Sequence, residues 1–262
     1  MVHVRFAMIA IAITIGLFAG MLLFIEFGRR FGLRQIARRG SAARTGVGVV
    51  DSAVYSLFAL LLGFTFSGAA GRFEHRRDIV ADETNAAGTA WQRVDVLPAE
   101  LQGAIRGEMR HYLDALLAWY GEAPGSVRTI YEPPAVTKAQ DNLWSRAVEA
   151  CVTPNGERAR MLLLPALNEL FGLVEKERMA RRMHPPPLIW TMLGVSAFAA
   201  ALFAGYGLAS GPTRNWIYII GLSASVSVAT YVIIELEYPR LGLSRVNAID
   251  QALVELRQTM GE

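Results

Sequence analysis

Three arginines, Arg72, Arg76 and Arg77, follow directly on a 25-residue stretch, Val47 to Gly71, whose one charge is Asp51. Arg72 and Arg76 are four apart and share a face if the segment is helical. Two chemistries suit the trio. Arginines at the end of an apolar helix snorkel to lipid headgroups and anchor it. Set around a pore mouth by several copies of the chain, they raise the local concentration of anions. Glu74 and Asp78 lie beside them and partly cancel the field.

The remaining reactive residue types form no constellation. His3, His75, His111 and His184 have no neighbours at metal-ligand spacing, so a surface or interfacial place is expected for each. Cys151 is the one cysteine, which excludes an internal disulfide and a cysteine-pair metal site. No nucleophile motif, phosphate-binding loop or dinucleotide fingerprint occurs, and Gly46-Val47-Gly48-Val49-Val50 lacks a third glycine. No enzyme, metal or cofactor is therefore expected. A net charge of +3 gives no argument for a nucleic-acid partner. Glu26 and Asp51 stand near the ends of apolar blocks, where an ionisable residue either serves function or reaches headgroup water. Glu235 and Glu237 either cap the junction to the C-terminal tail or pair with Arg72.

The elements behind these residues follow from uneven charge. The chain is 53% hydrophobic and 19% charged, yet four blocks are nearly free of charge. Phe6–Phe27 holds one charge, Val47–Gly71 one, and Leu188–Leu208 and Trp216–Ile234 none. At about 1.5 Å per residue, ~20 helical residues cross a hydrocarbon core of roughly 30 Å. Each block is read as a membrane span. The first is too long for a signal-peptide core and has no small-residue cleavage site before Arg29-Arg30, so it reads as a retained anchor.

The expected fold is all-α: a four-transmembrane-helix membrane protein with a helical insertion between spans 2 and 3. Residues 1–71 form the first hairpin (spans about 6–27 and 47–71) and 72–186 the extramembrane insertion. Residues 187–236 form the second hairpin (spans about 188–208 and 216–236), and 237–262 a C-terminal tail helix. Inside the insertion, Phe73–Leu97 continues the second span as helix, and Pro98 suits the first turn of the next. Leu101, Ile105, Met109, Tyr112, Leu113, Leu116 and Leu117 make one apolar stripe at helical spacing. Gly121–Gly125 ends that helix, Pro133-Pro134 marks a loop, and 137–151 and 158–182 read as helices, the second kinked at Pro165.

Basic residues near span ends number ten on the insertion side and seven on the hairpin-loop side, six of the seven in the first loop (29, 30, 34, 38, 39 and 44). That balance places the insertion and both termini in the cytoplasm, with the Arg-rich loop as the counter-argument.

The second span has a distinctive surface. Gly63, Ser67 and Gly71 are spaced by four, as are Ser52 and Ser56. Small residues at that spacing let helices approach closely in lipid. Beside them run Leu60 and Phe64. One reading is tight helix packing. The other is a pore lining whose bulky apolar rings form a constriction that gates by dewetting.

The exit of this span resembles that of bacterial bestrophins, which runs roughly Phe-Arg-Thr-Asn-x-Ala-Tyr-x-Arg-Trp-Trp. Here it is Phe64-Thr65-Phe66-Ser67-Gly68-Ala69-Ala70-Gly71-Arg72-Phe73-Glu74, with phenylalanine, alanine and arginine at matching spacing. Glu235-Leu236-Glu237-Tyr238-Pro239 is similar to the family's Glu-x-Glu-x-Pro motif. Gly63–Gly68, Glu83-Thr84-Asn85-Ala86 and Arg93–Pro98 look closer still to the widespread bacterial bestrophin-like membrane family.

The resemblance implies a pentameric anion channel in a bacterial inner membrane, with membrane lipid and small anions as its partners. It places Phe64, Leu60 and Ser56 at successive levels of an apolar neck; on the electrostatic reading above, Arg72, Arg76 and Arg77 would then lie at its inner mouth. Leu60 stands where the family has an aromatic or aliphatic residue and Ser56 where it has an aliphatic one, which implies a wider, wetter neck. The Arg-Thr-Asn stretch is absent. Arg240–Arg245 has no carboxylates to match the calcium cluster of eukaryotic members, so no calcium gating is expected. The alternative is a non-conducting scaffold or sensor, whose Leu101–Leu117 stripe docks a partner.

Overall fold

The computed structural model describes residues 2–39, 47–121, 133–154, 156–209, 211, 214–238 and 247–261. Eight α-helices account for most of these: α1 (Val2–Arg39), α2 (Val47–Arg93), α3 (Ala99–Gly121), α4 (Pro134–Val152), α5 (Glu157–Arg182), α6 (Pro187–Leu208), α7 (Trp216–Glu237) and α8 (Asn247–Thr259). A 3₁₀ turn, Val94–Val96, ends α2, and no strand occurs among the described residues. Four helical stretches are long and apolar enough to cross a membrane, in α1, α2, α6 and α7. The expected all-α, four-span architecture is the one observed.

Helix ends differ from expectation in places. The basic segment after Phe27 stays helical through Arg39, so Arg29, Arg30, Arg34, Arg38 and Arg39 lie on α1. Arginine, glutamine and alanine are strong helix formers, and charge alone does not end a helix. Arg44 lies outside the described residues, as do Arg240 and Arg245. α4 starts at Pro134, which occupies its first turn where the missing N–H costs nothing. α5 runs through Pro165 without a break.

The chain divides into two compact units: residues 4–71 with 184–238, and residues 1–3, 72–183 and 239–262. The first unit contains the four apolar spans. Its core joins Met21 and Ile25 of α1, Phe58 of α2, Leu193, Ala197, Ala200 and Ala201 of α6, and Ile219 and Val226 of α7. Its tightest contact is between α1 and α6. A Cβ added at Gly205 would lie 1.9 Å from the Ile25 carbonyl oxygen, and one at Gly28 would lie 1.9 Å from that of Leu202. Only glycine permits these backbones to meet. At one end Glu26 accepts hydrogen bonds from Arg30 (2.7 Å) and Arg214 (3.0 and 3.1 Å), and Arg214 lies over the Trp216 ring.

The second unit holds the insertion and the tail. Ile105, Met109, Tyr112, Leu113 and Leu116 of α3 are fully buried, against Leu143 and Ala147 of α4 and Leu163, Leu167 and Leu170 of α5. Helix α8 adds Leu253 to this core. Arg257 forks onto Asp114 at 2.7 and 2.8 Å, and Arg110 donates to the Met260 carbonyl. The apolar stripe of α3 is therefore occupied by its own unit. It is not a free docking face.

A candidate pore-lining face

The apolar half of α2 packs against its unit along one side. Phe58 and Thr65 are buried there, with Tyr55, Leu61 and Leu62 partly so. The opposite side is bare. Ser56 is exposed, as are Leu60 (55%) and Phe64 (67%), one turn apart in a single line. Gly63, Ser67 and Gly71 are exposed beside them, and a Cβ added at Gly63 or Gly71 meets open space. The structure thus gathers the six expected α2 residues on one uncovered surface. The close backbone approach that small residues permit occurs elsewhere, at Gly28 and Gly205. Gly28 and Gly32 are four apart on α1, the same spacing as on α2, but the partner helix is visible only when α1 and α6 are set side by side.

The three arginines have different surroundings. Arg72 is half-buried and Arg77 is exposed. Arg76 donates to the Ala180 carbonyl (Nε, 3.2 Å) and to the Met183 carbonyl (Nη2, 2.9 Å). Both carbonyls lie at the C-terminal end of α5, where a cation suits the helix dipole, and Arg76 shares the Ala180 carbonyl with the Met183 N–H. One of the three expected mouth residues therefore has a capping role inside the insertion unit.

Buried polar groups supply the remaining chemistry. At the end of the spans Glu237, fully buried, pairs with His184 Nδ1 at 3.0 Å, and His184 stacks on Tyr238 at 4.8 Å. His184 is partly exposed, with a carboxylate partner that its lone place in the sequence did not reveal. In the insertion, Glu83 is fully buried and accepts from the Tyr120 hydroxyl at 2.9 Å. Arg181 bonds Glu177 and lies over the rings of Trp119 (4.9 Å) and Tyr120 (4.5 Å). The Glu83-Thr84-Asn85-Ala86 motif was the one available signal for this cluster. Burial pushes the Cys151 thiol up, which keeps it protonated and a poor nucleophile. Among the described residues no group of histidines, cysteines and carboxylates could hold a metal ion.

Fold and surface together define a four-span helical membrane protein with a large helical insertion between its second and third spans. The chain belongs to the bestrophin-like family, whose Bestrophin-like domain matches residues 7–249. Its fold is similar to that of a bacterial bestrophin homologue from Klebsiella pneumoniae, with a TM-score of 0.65 and 14% identity, over 94% of this chain and 99% of the homologue. No curated protein sequence matches it.

Proposed function

We propose that several copies of the chain, five by the family resemblance, assemble in a bacterial inner membrane into a pore that passes small anions. In this reading Ser56, Leu60 and Phe64 line the constriction. Arg72 and Arg77, with Arg76 beside them, make the inner mouth electropositive, and the insertion and termini are cytoplasmic. Gly63, Ser67 and Gly71 let neighbouring copies approach. No catalysis is assigned. The observation that carries the reading is the unbroken exposed line 56–60–64 on a helix whose other side is packed. A line of apolar rings left bare by its own chain suits a constriction shared among copies.

Chloride flux from proteoliposomes tests it. Flux in the wild type, or flux unmasked by Leu60→Ala/Phe64→Ala, supports the pore. Absence of flux in both, with folded protein confirmed in the vesicles, moves the assignment to a scaffold or sensor. In that second reading the partner would dock elsewhere than on the α3 stripe, which its own unit covers.

A further inference from the structure

We infer that the first unit binds a phospholipid acyl chain in a groove between α1, α6 and α7. Such a site is independent of ion conduction. The groove has a volume of about 490 Å³ and runs along α1 from Phe6 to Leu17. Those 11 steps at ~1.5 Å each give a length of ~16 Å. One leaflet of a ~30 Å hydrocarbon core is about 15 Å deep. The length therefore matches one leaflet.

The two ends differ as a lipid's ends do. Phe6, Trp190 and Tyr238 line one end, where α1 and α6 begin and α7 finishes. The Phe6 and Tyr238 rings are 5.3 Å apart, and Tyr238 stacks on the partly exposed His184 that pairs with Glu237. Amphipathic aromatics and a histidine suit the ester and headgroup level. The other end is closed by Phe198, which stacks on Phe24 at 4.8 Å and sits 2.7 Å from where a Gly20 Cβ would be. Between the ends the wall is apolar. Its hydroxyl, on Thr230, is bonded to the Val226 carbonyl and makes no demand on an occupant.

The occupant follows from continuity and size. Ile9 and Ile13, on the groove wall, are half exposed on a membrane span, so the groove is continuous with the lipid-facing surface. A single acyl chain has the length of the groove, and the apolar wall between its aromatic ends suits one.

The test uses full-length protein in detergent, washed exhaustively, with retained phospholipid measured by phosphorus assay and native mass spectrometry. Gly194 lines the groove, and a Cβ there meets open space, so Gly194→Leu fills it without a backbone clash. The expected result is about one phospholipid per wild-type chain and at least a fivefold loss in Gly194→Leu. Re-addition of phosphatidylcholine brominated near the carboxyl end of its chain should quench Trp190 in a Trp216→Phe background, over the constant emission of Trp91, Trp119 and Trp144 in the other unit, and less so with Gly194→Leu. If Gly194→Leu does not fold, Ile13→Phe replaces it. Equal retention in wild type and blocked variant, which annular lipid alone predicts, overturns the inference. So does recovery of free fatty acid or no lipid from the wild type.

Discussion

Two small-residue surfaces in the spans look alike in sequence and differ in the folded chain. On α1 and α6, Gly28 and Gly205 bring backbones into contact, each filling space that a single methyl would need. On α2, Gly63, Ser67 and Gly71 face open space. The same pattern thus serves intrachain packing in one place and is unused by the chain in the other. Spacing reports that a helix can be approached closely, and only the fold reports by what. The small face of α2 is therefore free for lipid or for another copy.

The sharpest way to break this contrast is to add methyl groups to both surfaces. Gly205→Ala and Gly28→Ala each drive a Cβ into a carbonyl oxygen, and overpacking of this kind costs about 1–3 kcal/mol even where neighbours shift. Gly205→Leu should abolish recovery of folded protein. Gly63→Ala should leave monomer stability unchanged or raise it by up to ~1 kcal/mol, since alanine is the better helix former. Thermal unfolding in detergent checks the set. Equal destabilisation by Gly63→Ala and Gly205→Ala would remove the distinction between the surfaces.

The same contrast separates what was legible in the sequence from what was not. The spans stood out because a run of ~20 uncharged, apolar residues matches the depth of a hydrocarbon core, and the α3 stripe because helical spacing predicts burial. Ser56, Leu60 and Phe64 fall on one face by arithmetic alone. The end of α1 was not legible, because a cluster of arginines suggests a loop, although it remains helical to Arg39. Contacts between residues far apart in sequence were invisible. Tyr120 and Glu83 are 37 residues apart, His184 and Glu237 are 53 apart, and nothing local links either pair. Arg76 showed its charge in the sequence and hid its acceptors, which belong to the end of another helix.

In the insertion unit, by contrast, the sensitive sites are polar. Tyr120→Phe removes the hydroxyl that donates to the fully buried Glu83, and losing a donor to a buried carboxylate costs about 1–3 kcal/mol. Arg257→Ala, which frees the half-exposed Asp114, should cost no more than ~1 kcal/mol in solvent. It should also loosen α8, read as faster amide exchange over residues 251–259. If Arg257→Ala outweighs Tyr120→Phe, the tail contributes more to the unit than its interior does.

The smallest stability effect is expected where the functional effect is expected to be largest. Phe64→Ala in the core of a soluble protein would cost ~3–5 kcal/mol, as truncation of a buried aromatic does. Here the ring is 67% exposed, and Leu60 beside it 55%. Their truncation leaves little cavity within the chain. Leu60→Ala/Phe64→Ala should therefore unfold within ~1 kcal/mol of wild type as an isolated chain. A larger loss that disappears on dilution below the assembly concentration would mean that the bare line of α2 is packed by other copies. A loss that persists in the monomer would mean that the line is covered by its own chain, and the pore assignment would lose the surface it depends on.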